Sequence, residues 1–170
     1  MKRISKEHHQ GRDSQNGFNI IDYVKDYGKY VYFIGIGGAG MSAIAKILIN
    51  EGYIVSGSDM ECSPATYELG ELGVRVDTKQ DGECLHPDTN LVITSAAINE
   101  NNPDLKKARS LGLRVVKYSE FLGSLMKTKY GIAISGTHGK TTTTAMISTI
   151  LKKTGLEPTF VIGGNVTEIG

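Results

Sequence analysis

The sequence has no tryptophan, only two cysteines and four prolines, and almost no surplus of charge. Each shortage closes off a class of protein. Nineteen Lys and Arg against 18 Asp and Glu leave a formal charge of +1, so no basic field draws the chain to nucleic acid or to an anionic membrane. No run approaches the roughly 20 apolar residues of a bilayer span, and the N-terminus carries no apolar h-region. Neither a membrane span nor a signal peptide is therefore expected. Cys62 and Cys84 stand far apart and match no metal-ligand spacing. They read as two reduced thiols of a cytoplasmic protein. Of the four histidines, His8 and His9 lie in a polar stretch, His86 stands alone, and only His138 sits inside a motif.

What is present is glycine, 21 residues of it, gathered in part into two loops. Residues 136–142 read Gly-Thr-His-Gly-Lys-Thr-Thr, after the apolar run Tyr130 to Ile134 and before a helical pattern. Strand, glycine-rich loop, Lys-Thr and helix is the arrangement that holds a nucleoside triphosphate. Backbone N–H groups and a helix N-terminus face the phosphates. Lys140 can reach the β- and γ-phosphates, and the Thr141 hydroxyl can ligate Mg²⁺. A full Walker pattern would place glycine at position 134, where this chain has Ile134. His138 has two readings, a ligand to phosphate or substrate and an ordinary loop histidine.

Hydrophobic periodicity organises the rest. Residues 1–29 read as a polar arm, through residue 17, and a short lead-in helix at Phe18–Tyr27. From Tyr30 strands and helices alternate. Strands are expected at Tyr30–Ile36, Tyr53–Gly57, Val74–Val76, Leu91–Thr94 and Leu113–Val116. Helices are expected from Met41 to Ile49, and at Pro64–Leu72, Pro103–Leu111 and Ser119–Met126, the last with Ser119 as N-cap. This alternation implies an α/β fold, a Rossmann-like parallel sheet with right-handed crossovers over residues 30–127. Residues 128–170 then offer the first β-α-β unit of a P-loop ATPase domain. Its strands are Tyr130–Ile134 and Thr159–Ile162. Its helix, Thr142–Lys153, has a buried stripe of Met146, Ile147, Ile150 and Leu151. A P-loop domain needs several more strands than this, so the ATPase domain is expected to be cut short. Met41, Met126 and Met146 are expected in the core, and Lys106, Lys107 and Arg109 on a solvated helix face.

The first glycine loop, Gly35-Ile36-Gly37-Gly38-Ala39-Gly40, fits G-x-G-x-x-G between a strand and a helix. Gly35 permits the tight turn, Gly37 lets a phosphate approach the backbone, and Gly40 lets the helix pack closely. Asp59 follows about 20 residues on, where an acid can take ribose hydroxyls. The physics specifies a diphosphate on a helix N-terminus with a hydroxylated sugar near Asp59. Any nucleotide diphosphate meets that description, and taken alone the fingerprint points first to an NAD-dependent oxidoreductase. A purely structural turn, with Asp59 as a local cap, is the plain alternative.

The two loops together are distinctive. Phe33 to Ser42, Ser56-Gly57-Ser58-Asp59, Ser95-Ala96-Ala97-Ile98 with Asn102-Pro103, and Gly136 to Thr144 resemble the Mur ligases, from about Tyr30 to Gly170. That family also lacks the first Walker glycine, which accounts for Ile134. The resemblance implies an ATP- and Mg²⁺-dependent ligase of peptidoglycan synthesis that works through an acyl phosphate. The histidine at 138 implies a branch acting on UDP-muramate, shared with the ligase that recycles tripeptide, and the first loop, Gly35 to Met41, resembles the branch that uses L-alanine. By the same resemblance Gly35, Ile36, Gly37, Gly38, Ala39 and Gly40 hold the UDP diphosphate, with Asp59 and Ser95 near uridine or ribose. Gly136, Thr137, His138, Gly139, Lys140, Thr141 and Thr142 hold ATP, Lys140 and His138 act in catalysis, and Thr141 ligates the metal. The chain departs from the family at two places. Gln80 stands nearest a usual histidine, and Tyr118 replaces an arginine. Two other functions fit part of the pattern. An NAD-dependent oxidoreductase explains the first loop but not Gly139-Lys140-Thr141, and a non-catalytic nucleotide-binding module fits the short length.

Overall fold

The computed structural model describes residues 28–162. The expected polar arm and lead-in helix fall outside the described residues. Five parallel strands form one sheet, in the order β3-β2-β1-β4-β5. They are β1 Tyr30–Ile34, β2 Ile54–Ser58, β3 Arg75–Asp77, β4 Leu91–Thr94 and β5 Arg114–Lys117. The helices are α1 Ala39–Asn50, α2 Pro64–Glu71, α3 Pro103–Ser110, α4 Tyr118–Lys127 and α5 Lys140–Lys153. β1 pairs with β2 from Tyr30 opposite Ile54 and with β4 from Val31 opposite Leu91. The chain thus starts mid-sheet, winds to one edge, and returns past β1 to build the other half. Among the described residues no helix is long and apolar enough to cross a membrane.

Side-chain alternation along β1 divides the core. Val31 and Phe33 face one side, packed with Ile44, Leu48, Leu69 and Phe121 from α1, α2 and α4. Tyr32 and Ile34 face the other, with Val92, Leu105 and Ala108. Both faces are covered, which is why Leu91–Thr94 is apolar in every residue but its last and buried throughout. Local signals set the helix starts. α2 begins after Ser63, whose Oγ accepts the Thr66 N–H, with Pro64 in its first turn. α3 begins after Asn102, whose Oδ1 accepts the Leu105 N–H at 3.1 Å.

Several sequence expectations are corrected. β1 ends at Ile34, two residues early, because Gly35 turns out of the sheet with φ +83°. α4 starts at Tyr118, so Ser119 lies inside it. The cap is Lys117, whose N–H donates to the Glu120 carboxylate at 3.1 Å. The two strands expected of the second unit do not form, since residues 130–134 and 159–162 belong to no sheet. No neighbouring strand stands beside either segment among the described residues, and an extended segment without a partner has no ladder to join. α5 itself forms and starts at Lys140 rather than Thr142. Its expected buried stripe is half wrong. Met146 and Ile150 are 61% and 59% exposed, Ile147 and Leu151 are half-buried, and Ser148 is the buried residue. Of the three methionines expected in the core, Met41 is buried and Met126 half-buried, while Met146 is exposed.

Candidate functional site

The carboxyl ends of β1, β2, β4 and β5 gather the first glycine loop and its neighbours. β1 sits where the winding reverses, so the switch point, where open parallel sheets bind ligands, falls between the ends of β1 and β4. The loop is anchored from beneath by β2. The Ser58 carbonyl accepts from the Gly35 N–H at 2.8 Å and the Ile36 N–H at 3.1 Å. Asp59 Oδ2 accepts from the Gly37 N–H at 2.8 Å, and its Oδ1 accepts from Glu61 N–H. Ser95 stands on the other side. Its N–H donates to the Ile34 carbonyl, and its Cβ would lie 3.1 Å from a Cβ on Gly35. The structure therefore brings Gly35, Gly37, Asp59 and Ser95 together around the start of α1.

The loop's glycines are needed by contact as well as by turn. A Cβ on Gly37 would meet Asp59 Oδ2 and Thr66 Cγ2 at 2.9 Å each. A Cβ on Gly40 would meet the Tyr118 hydroxyl at 2.5 Å. No acceptor meets the N–H groups of Ala39, Gly40 and Met41 among the described residues, as a helix start requires. Three donors at the positive end of a helix form a place for an anion. A cleft of about 520 Å³ runs from Gly37 and Ala39 along α1 and α2, past Ser42 and Lys46, to a wall formed by Phe160 and Ile162.

Beneath the loop lies a network that sequence reasoning missed. Asp104, in the first turn of α3, has no exposed surface. Its carboxylate accepts from Tyr32 Oη at 3.1 Å, Ser58 Oγ at 2.5 Å and Gly82 N–H at 2.8 Å. Asp104 thus holds the side chain of the residue whose carbonyl holds the loop. Burial pushes the Tyr32 phenol well above its ordinary value. The available signal was Tyr32 itself, since a tyrosine in a buried strand needs a partner for its hydroxyl. Gln80 is drawn into the same neighbourhood, its Oε1 accepting from Asn102 Nδ2 at 2.6 Å. Its side chain is thereby engaged at the cap of α3.

The second loop is a separate, open feature. Gly136 to Thr143 are exposed, His138 included. Gly139 takes the left-handed conformation, φ +77°, and α5 starts at once after it. Lys140 folds back, its Nζ donating to the carbonyls of Gly136 and, at 3.2 Å, Thr137. The N–H groups of Lys140, Thr141 and Thr142 meet no acceptor among the described residues. The loop thus gathers a cation, a hydroxyl and three unmet donors. Among the described residues no cluster of three or more His, Cys, Asp or Glu could hold a metal ion.

A doubly wound parallel sheet with a glycine loop at its switch point, followed by a second Gly-Lys-Thr loop on a helix start, defines an α/β chain built around helix N-termini. Residues 30–130 match the family model described as Mur ligase family, catalytic domain, and the chain belongs to that family. Relatives called UDP-N-acetylmuramate–L-alanine ligase resemble it closely. That of Syntrophotalea carbinolica is 48% identical over 85% of this chain and 32% of its own length. That of Clostridium kluyveri is 48% identical over 88% of this chain and 33% of its own. The crystal structure of a UDP-N-acetylmuramate–alanine ligase from Thermotoga maritima superposes with a TM-score of 0.77 at 32% identity, over 81% of this chain and 32% of that one. A UDP-N-acetylmuramate:L-alanyl-γ-D-glutamyl-meso-diaminopimelate ligase from Neisseria meningitides also superposes at 0.77, with 30% identity, over 84% of this chain and 45% of that one. The chain spans about a third of the length of the curated relatives it matches.

Proposed function

We propose that this chain is the UDP-sugar-binding part, with the opening of the ATP-binding part, of a ligase joining L-alanine to UDP-N-acetylmuramate. One observation carries the reading. A single member of the family presents two glycine-rich loops, each running into a helix start with unmet N–H groups, at Ala39–Met41 and at Lys140–Thr142. Two anionic substrates are what two such starts suit. The alanine ligases matched at 46–48% identity support the choice of amino acid. In this reading residues 30–127 form the UDP-sugar domain and residues 128–170 open the ATP domain. The family match over 30–130 and a sheet complete by Lys117 support that division. The reaction belongs in the cytoplasm, where ATP is supplied.

The chemistry is phosphoryl transfer followed by acyl transfer. The lactoyl carboxylate takes the γ-phosphoryl group of ATP, giving an acyl phosphate and ADP. The amine of L-alanine then attacks the acyl carbon, an amide bond forms, and phosphate leaves. Charge on the transferred group is the main barrier, so positioning and electrostatics carry the catalysis. The loop Gly35 to Gly40 would seat the UDP diphosphate, with Asp59 and Ser95 flanking the nucleoside. Gly136, Thr137, Gly139 and Thr142 would cradle ATP through the backbone. The residues present fit that role, since Lys140 and Thr141 stand exposed on the first turn of α5. Lys140 must exchange two carbonyls for phosphate oxygens, with His138 beside it. Thr141 would hold Mg²⁺, which neutralises phosphate charge when bound.

Calorimetric titration with UDP-N-acetylmuramate, UMP and NAD⁺ tests the reading. The expected order is UDP-N-acetylmuramate tightest, UMP weaker and NAD⁺ without heat. Binding of NAD⁺ in preference to the UDP-sugar would move the chain to the oxidoreductases.

A further inference from the structure

Tyr118 opens α4 directly after β5, at the same sheet edge as the glycine loop. Its ring lies across Gly40, the second residue of α1, so closely that a Cβ there would come within 2.7 Å of Cζ as well as 2.5 Å of Oη. Only glycine admits the ring at this place. The hydroxyl therefore stands beside the first turn of α1, where the N–H groups of Ala39, Gly40 and Met41 meet no acceptor. It has no hydrogen-bond partner of its own among the described residues. Burial alone raises its pKa, with no bonded or charged group contributing. Here the Tyr118 hydroxyl, free to donate, stands at the same helix end as three unmet N–H groups. Donors gathered in this way suit an anion.

The placement also gives direction. Asp59 meets Gly37 from the β2 side of the switch point, and Tyr118 meets Gly40 from the β5 side. A diphosphate lying along the loop presents one phosphate toward each. With the nucleoside at the Asp59 end, the phosphate farther from Asp59 is the one that meets the hydroxyl donor. We propose that Tyr118 is a specificity-determining residue of this site, its hydroxyl donating to the phosphate farther from Asp59, so that nucleoside diphosphates are bound in preference to monophosphates. This rests on the reading of Gly35 to Gly40 as a UDP-diphosphate seat.

The test is titration of UDP and UMP into the 170-residue chain and into Tyr118→Phe, which keeps the ring on Gly40. A hydrogen bond to an ionised phosphate predicts about ten-fold weaker UDP binding by the variant, with UMP binding unchanged. Equal UDP affinity in the two proteins, or an equal loss for UDP and UMP, overturns the proposal. No binding of UDP by the unaltered chain overturns instead the diphosphate seat itself, and this proposal with it. A second measurement avoids any folding defect of the variant. In unaltered protein carrying ¹³C at tyrosine Cζ, the Tyr118 resonance should move on adding UDP and stay still on adding UMP. A Tyr118 signal indifferent to UDP, in protein that binds it, counts against the proposal.

Discussion

Asp104 is buried without exposed surface, and three donors from three different segments meet its carboxylate. Replacing it leaves the Tyr32 and Ser58 hydroxyls and the Gly82 N–H without an acceptor in a site closed to water. Each orphaned group carries a desolvation cost, so Asp104→Ala should lose about 3 kcal/mol or more of stability in urea unfolding. Asp104→Asn keeps one acceptor oxygen and should lose less; equal losses would mean that the side chain's volume, not its acceptors, matters here. The two cysteines make a second contrast. Cys62 is exposed, whereas Cys84 is half-buried, and burial with the neighbouring Asp77 carboxylate pushes its thiol up to about 11. The thiolate is the nucleophile, and at pH 8 only about one Cys84 in a thousand would carry it. Iodoacetamide at pH 8 should therefore label Cys62 and spare Cys84, as read by peptide mass mapping. Labelling of both at one rate would show that the Asp77 contact does not persist in solution.

At the scale of elements, energetic weight is uneven. Phe121 of α4 is fully buried against the α1 face of the sheet, so Phe121→Ala should cost about 3–5 kcal/mol. Met146 of α5 is 61% exposed, and Met146→Lys should stay within about 0.5 kcal/mol. Thermal unfolding of the two variants measures the difference directly, and a large loss in Met146→Lys would place that side chain against a surface absent from this structure. The contrast also explains what could be read from sequence. The winding of β1 to α4 was legible from periodicity, with Pro64 marking the first turn of α2, but Gly35 ends β1 two residues before the expected bound and the cap of α4 is Lys117 rather than Ser119. α5 was legible as a helix, since its own pattern sufficed, but its buried side was not. Which stripe is covered depends on what packs against it, and residues 130–134 and 159–162 form no strands beside it. The loop and Asp59 were visible as a motif. Asp104 was not, because an acid just after Asn-Pro reads as an ordinary first-turn charge on a solvated helix. Its burial follows from Ser58 and Gly82, which are distant in sequence and adjacent only in the fold. Tyr118 was visible only as a departure from the family pattern, without a hint that Gly40 lies beneath it.

The whole molecule carries a set of acidic side chains that the fold keeps protonated. Tyr32, Tyr53 and Tyr118 are raised by burial, and Cys84 by burial and by Asp77. The sign of the consequence is fixed. A group whose pKa is higher folded than unfolded binds more protons in the folded state between those two values. Stability then falls as pH rises, because the unfolded chain can release protons that the folded chain must keep. The contribution is intact below the unfolded values, 9.0 for the thiol and 10.0 for the phenols, and Cys84's share is gone above about 11. No opposite trend comes from Arg75 and Arg109, whose raised values hold them charged throughout this range. Urea midpoints measured from pH 7 to pH 11 should therefore stay nearly level to about pH 9 and then fall steadily. Cys84→Ala should postpone the start of the fall toward pH 10, where the tyrosines begin. An unchanged profile in Cys84→Ala would assign the alkaline limit to the phenols alone, with Tyr32 first among them because it is the most deeply buried of the three and shares its carboxylate partner with the anchor of the glycine loop.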